Sequence, residues 1–387
     1  MRCSYLISDE KGDIPVSSEM MHTPFKTTLS EEHRSLTLGD YFRGVESFLF
    51  HDRGKAFAEA VAREHVEDAR AVEEAREAWI RSEKHGADYH VAGVRVLSGN
   101  HELKVCVCTA VTQEAQSRLA EEARNLRALG RTIYPSYLPR QYLSGYAPGR
   151  EDFGKPSLFM LVGEWLEDYH EWHLAPDGSG NDGFPPVCIW DYQRGCRFSN
   201  PSESWELFRQ AAMILTRYYD FDSFCEIGPW HHAAGDFVIR STEQSVDVRL
   251  TAVRGYRPLP ILSGAGVGDV PVETALFYFF LNMSVRMRLD RVDGVGERLW
   301  AEAFPVEAVL AGFLDALRCR ERDGAYPPGK AAGFILLLKS FSRDELEKAF
   351  SPLVALFALE NAAEFTLIHR HLGGHVSRLH QAFQSLP

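Results

Sequence analysis

The sequence predicts an α+β protein built as two lobes, and three observations lead there. A chain of 387 residues is longer than one core can organise, since single cores stop growing at roughly 250–300 residues. The apolar period switches from helical to two and back along the first half, and beyond Val272 it is helical almost throughout. The composition is 45% hydrophobic, 12% aromatic and 25% charged, which supplies core material and excludes disordered, collagen-like and coiled-coil chains.

Between residues 37 and 81, Leu38, Phe42, Val45, Phe57, Val61, Val72 and Trp79 recur at helical spacing among Glu/Arg pairs, so residues 1–85 are expected as an N-terminal helical extension. Runs 90–97 and 102–108 then alternate with period two around Ser98-Gly99-Asn100, predicting a β-hairpin. Leu103, Val105 and Val107 share one face of it, leaving Lys104 with Cys106 and Cys108 on the other. Residues 112–129 return to a helix with Leu119, Ala123, Leu126 and Leu129 as its stripe, and the continuous apolar run 158–162 reads as a central strand. Residues 86–165 are thus expected as a small β-rich lobe with one helix, and 166–387 as a larger, mainly helical lobe. Within the latter, 175–186 reads as a long loop, and Ser202 is expected to cap a helix running to Tyr219. Residues 237–239 and 246–253 read as a second hairpin around 241–244. The remainder is helical with breaks at Asp293-Gly294, Tyr326-Pro327-Pro328, Ser342 and Gly373-Gly374.

Charge and cysteine usage narrow the function classes. With 42 Lys+Arg against 54 Asp+Glu the net charge is −12. No basic block stands out, so nucleic acid is not expected as a partner. Residues 1–13 are too acidic for a secretory leader, and the most apolar stretch, 274–285, falls short of the roughly 20 residues that span a bilayer. A cytoplasmic protein with no membrane partner is expected. Seven scattered cysteines without a C-x-x-C pair are expected to be reduced thiols. Arg286, Arg288 and Arg291 alternate with Asp290, Asp293 and Glu297, which reads as a salt-bridged helix end. His369, His371, His375 and His380, split by two glycines, read as mostly solvent-facing.

The order hairpin, helix, strand, long helix, hairpin, helical remainder resembles the kinase-like fold of the aminoglycoside phosphotransferase and choline kinase type, over roughly residues 87–253. Lys104 in HELKVCV stands where that family has the strand lysine that holds nucleotide phosphates, and Glu122 in LAEEARNLRALG where the next helix offers it a carboxylate, with Glu121 as the neighbouring option. The segment LFMLVGEWLED is similar to the strand entering the inter-lobe hinge, which implies adenine contacts from Glu164, Trp165 and Leu166. WHHAAGDFVI is similar to the catalytic loop, and VDVRLTAVRGY occupies the place of the strand carrying a metal-binding Asp.

Three departures accompany the likeness. His231 stands where the catalytic Asp belongs if Asp236 replaces the metal-binding Asn; in the other register Asp236 is the catalytic Asp and Ser241 the poor metal ligand. Thr251 falls at the second metal carboxylate, with Asp247 the only acid near it. The phosphate-covering stretch has only Gly86 and Gly93. The reading is therefore a degenerate pseudokinase that binds a nucleotide or other small ligand, with ATP and Mg²⁺ as the implied cofactors and a protein partner for a regulatory role. Two alternatives stand beside it: an active atypical phosphotransferase with His231 as base and Asp236 as metal ligand, and a metal-dependent enzyme using His231, His232 and Asp236.

Overall fold

Strand β1 (Arg2–Asp9) lies parallel to a strand that follows three helices, and this pairing draws the front of the chain into a sheet. The computed structural model describes residues 1–9, 12–26, 32–64, 66–85, 89–99, 101–148, 157–174, 187–191, 195–232, 235–242, 245–262, 270–292, 296–301 and 305–387. The loop expected at 175–186, the Asp293-Gly294 break, Gly86 and the turn residues Asn100, Glu243 and Gln244 lie outside the described residues. The protein is mixed α+β, and its contacts divide it into two compact units, residues 1–131 with 139–167 and residues 132–138 with 168–387.

In the first unit, β1 is followed by β2 (Gly12–Pro15), β3 (Pro24–Lys26), β4 (Glu32–Thr37), α1 (Leu38–Phe50), α2 (Lys55–Ala62) and α3 (Val66–Glu73). Thr37 caps α1 in a reciprocal box with Asp40. Next come β5 (Glu77–His85), β6 (His90–Ser98), β7 (His101–Ala110), α4 (Gln113–Leu129), β8 (Gln141–Tyr146) and β9 (Phe159–Glu164). One sheet of order β2-β1-β5-β6-β7-β9-β8 results. The expected helical extension is thereby corrected. Ala78, Ile80 and Ser82 are buried in alternation, a period of two that pairs β5 with both β1 and β6. Phe25, Tyr41, Phe42, Val45, Leu49 and Phe57 join Ile80, Val94, Val105, Val107 and Val162 in one core.

The second unit opens with β10 (His170–Leu174), β11 (Val187–Asp191), β12 (Gly195–Phe198) and α5 (Pro201–Arg217), continuing through β13 (Glu226–Ile227), β14 (Phe237–Ser241), β15 (Val246–Leu250) and β16 (Tyr256–Arg257). Asn200, not Ser202, caps α5, because Pro201 suits the first helical position and Glu203 returns the bond to Asn200. Strands β12-β11-β10-β14-β15 form an antiparallel sheet that includes the expected second hairpin. Cys188 and Cys196 form a disulfide between β11 and β12 with Cα atoms 5.9 Å apart, which corrects the expectation of reduced thiols at these two positions. Their spacing alone does not show it; the strand pairing brings them together.

Then follow α6 (Val272–Arg286), β17 (Leu289–Arg291), β18 (Arg298–Trp300), α7 (Pro305–Arg322), α8 (Lys330–Ser340), α9 (Arg343–Ala349), α10 (Ser351–Glu360) and α11 (Ala362–Gln384). The apolar stretch in α6 is a buried helix, and among the described residues no helix is long and apolar enough to cross a membrane. Helix α11 runs unbroken through Gly373-Gly374, so His371 and His375 lie one turn apart on it.

Candidate functional site

The residues singled out on the first unit sit on its sheet and on α4. Alternation in β7 buries Leu103, Val105 and Val107 and leaves Lys104 half-exposed beside Cys106 and Cys108. The Lys104 ammonium donates to Glu167 at 2.6 Å and lies 3.9 Å from Glu102. Glu122 faces the α4 core instead, 3% exposed, and accepts the Tyr89 hydroxyl. The expected Lys104–Glu122 pair is therefore not formed: one side chain leaves the sheet on its open face while the other turns inward.

Glu164 takes two guanidinium donors and the backbone N–H of Arg140, and its own N–H donates to the Arg140 carbonyl at 2.8 Å. That backbone donor, expected to meet an adenine, is committed within the protein. Trp165 rests against Gly93, where an added Cβ would lie 3.2 Å from its ring, and Leu166 is half-buried.

The second unit gathers His231, His232 and Asp236 at the β14 entrance. Asp236 is 1% exposed; its Oδ2 accepts the His231 backbone N–H at 2.7 Å and the Arg254 guanidinium at 2.5 Å. Thr251, at the expected second metal position, spends its hydroxyl on the carbonyls of Gly235 and Asp236 at 3.0 and 3.2 Å. Asp247 is held by Tyr169 at 2.6 Å and by Arg240 and Arg249, both at 3.4 Å. Gly235 has φ +67°, and a Cβ on it would meet the Glu171 carboxylate at 2.7 Å, so glycine is needed twice over.

The two histidines differ. His232 is buried among Trp172, Phe208, Trp230 and Phe237, and burial pushes its pKa down to about 3, which makes it a neutral core residue. The His231 ring is partly exposed with Nε2 3.9 Å from Glu364, to which Arg298 also turns at 3.7 Å. Burial lowers its pKa against the opposing pull of Asp290, Glu364 and Asp236. Tyr89, Glu171 and Glu364 are the neighbours that sequence reasoning missed. Glu364 joins the loop from 133 positions away, which no local pattern signals.

This donor set does not fit a divalent cation. Mg²⁺ takes several hard oxygens in an octahedron, whereas Asp236 is ion-paired, Thr251 is hydrogen-bonded to backbone and Asp247 is held by two arginines. Among the described residues no group of three or more His, Cys, Asp or Glu is placed to hold a metal. His231, His232 and Asp236 do not converge: one ring is packed in aromatics, and the carboxylate faces Arg254.

Comparison with known proteins leaves the family open. No protein-family model matches the chain. It is 24% identical over 222 residues to the sodium-dependent nutrient amino acid transporter 1 of Drosophila willistoni, covering 53% of this chain and 29% of that one. The Drosophila simulans protein of the same name is 26% identical over 200 residues, covering 48% and 28%. The chain thus spans under a third of the length of these curated relatives. Among solved structures, a Neurospora crassa PAN3 pseudokinase mutant matches with a TM-score of 0.25 and 11% identity, over 75% of this chain and 65% of that one.

Proposed function

We propose that the chain is a degenerate kinase-like protein of the aminoglycoside phosphotransferase type, a pseudokinase that binds a nucleotide or another small ligand in a regulatory role and does not transfer phosphate. The observation that carries this reading is the Arg254–Asp236 ion pair: the one acid available to ligate a metal beside the β14 strand already has a buried cation as its partner. Phosphoryl transfer consists largely of positioning and charge neutralisation by metal and lysine. Here Lys104 is paired with Glu167, and Asp236 would have to leave Arg254 before either could serve a triphosphate. A partner protein would then read the ligand-bound state.

The test is calorimetric titration of the chain with ATP, with and without Mg²⁺, beside an assay of ATP turnover. Binding that is unchanged by Mg²⁺, with no turnover above background, is the expected result. Vigorous Mg²⁺-dependent turnover that Asp236→Ala abolishes would overturn the degenerate reading. One observation favours a second reading, an active atypical phosphotransferase: burial keeps the His231 imidazole neutral, and a neutral ring can take a hydroxyl proton near pH 7. That reading requires phosphate transfer to disappear in His231→Ala.

A further inference from the structure

The arginines and histidines that the sequence assigned to a salt-bridged helix end and to solvent come together elsewhere in the second unit. A pocket of ≈ 470 Å³ is lined by Arg288, Trp300, Arg370, His371, His375 and Arg378 with small and amide side chains, and no carboxylate is among its lining residues. In a chain of net charge −12 such a concentration of cationic side chains is unexpected.

The floor of the pocket is built, not incidental. Arg288 is 3% exposed; it donates from Nε to the Ala301 carbonyl at 2.7 Å and from Nη1 to His375 Nδ1 at 3.2 Å, and its guanidinium lies 4.7 Å from the Trp300 ring centre. These partners carry no negative charge, so they orient the guanidinium without cancelling it. The tautomer of His375 follows from its bonds. Ser284 gives its hydroxyl proton to the Leu281 carbonyl at 2.8 Å, so the 3.0 Å contact to Nε2 is a ring N–H donating to Ser284, and Nδ1 is left to accept from Arg288. Burial and the charge of Arg288 hold His375 well below the usual histidine range, which keeps it in this acceptor role. His371 stacks on Trp300 at 5.4 Å and 17°, and exposed Arg370 lines the pocket wall. Arg378 is balanced by Glu307 at 2.5 Å, so Arg288 and Arg370 supply the excess charge.

We infer that this pocket binds a small phosphomonoester, its phosphate on Arg288 and Arg370 and its organic body against Trp300. Guanidinium forks match phosphate oxygens in pairs, and the volume falls within the roughly 300–1,000 Å³ of small-molecule sites, leaving room beyond the phosphate itself. The site lies wholly within the second unit and shares no residue with the Lys104 or Asp236 groups, so its success or failure is independent of the pseudokinase reading.

The test is isothermal titration of the full chain with inorganic phosphate and with phenyl phosphate at fixed ionic strength, phenol serving as the uncharged control. Saturable binding is expected for both anions and not for phenol, phenyl phosphate being the tighter. Arg370→Gln, an exposed change that leaves the fold intact, should weaken phenyl phosphate on the order of tenfold, while Arg118→Gln in the first unit leaves it unchanged. Absence of saturable binding by phenyl phosphate, or equal weakening by both variants, overturns the inference. Arg288→Lys is a second variant; if it unfolds, Arg370→Gln still decides.

Discussion

At Asp236 the same carboxylate could serve as metal ligand or as structural ion pair, and Arg254 decides between them. A buried charge is tolerated when paired and costly when its partner is removed, so Arg254 and Asp236 belong together whatever else the loop does. A different solution is adopted at Glu226, which is buried with Asn282 donating to Oε1 at 3.1 Å; burial, with Glu360 adding to it and Arg286 opposing, pushes its pKa up to about 8. The folded state therefore keeps a proton that the unfolded chain releases near its model value of 4.5, and stability is lost as pH rises between those two values. Over that window the slope should be about 1.4 kcal/mol per pH unit, read as the urea midpoint from pH 5 to 8. Glu226→Gln should flatten it, and an unchanged slope in that variant would place the effect elsewhere. His232 acts in the opposite sense, its contribution being lost as pH falls from 6.5 toward about 3. The face occupied by Lys104 was legible because a strand has period two. Its partner was not, because Glu102 and Glu167 compete with Glu122 only once the sheet is built.

Elements were legible where one local signal dominates and illegible where a neighbour overrides it. The hairpins around residues 98–101 and 241–246 follow from alternation and turn residues. Helix α11 ignores its glycine pair: a glycine costs only about 1 kcal/mol in a helix, and the buried Ile368, His375, Val376, Leu379 and Phe383 outweigh it. Strand β5 was taken as helix because Trp79 continues the apolar spacing of α3, yet β1 and β6 on either side impose the extended form. Close approach of elements yields a prediction as well. Gly312 of α7 faces the Arg209 carbonyl of α5, and an added Cβ would lie 1.9 Å from that oxygen. Gly312→Ala must force the two helices apart, at a cost of about 2 kcal/mol or more, visible as a lower chemical-denaturation midpoint; wild-type stability in this variant would show that the helices separate freely.

At the scale of the molecule, the front of the chain is half of the first unit's core. Burial of each large side chain such as Phe42 or Phe57 contributes about 1.5–3 kcal/mol, and net domain stability is only about 5–15 kcal/mol. A chain begun at Glu77 should therefore lose the cooperative unfolding of the first unit, seen as missing amide protection in β5–β9; retained protection would mean that the sheet stands without α1–α3. By itself the sequence determined the mixed α+β class, most of the helices, the two hairpins and the faces of their strands, because these depend on periodicity and turn chemistry within a few residues. Only the tertiary structure decided that β1 joins the sheet, that Cys188 meets Cys196, that Arg254 takes Asp236, and that Arg288, Trp300 and α11 enclose one pocket. Each of those is a pairing between distant segments, whose energy comes from burial and charge neutralisation that exist only after the chain has folded.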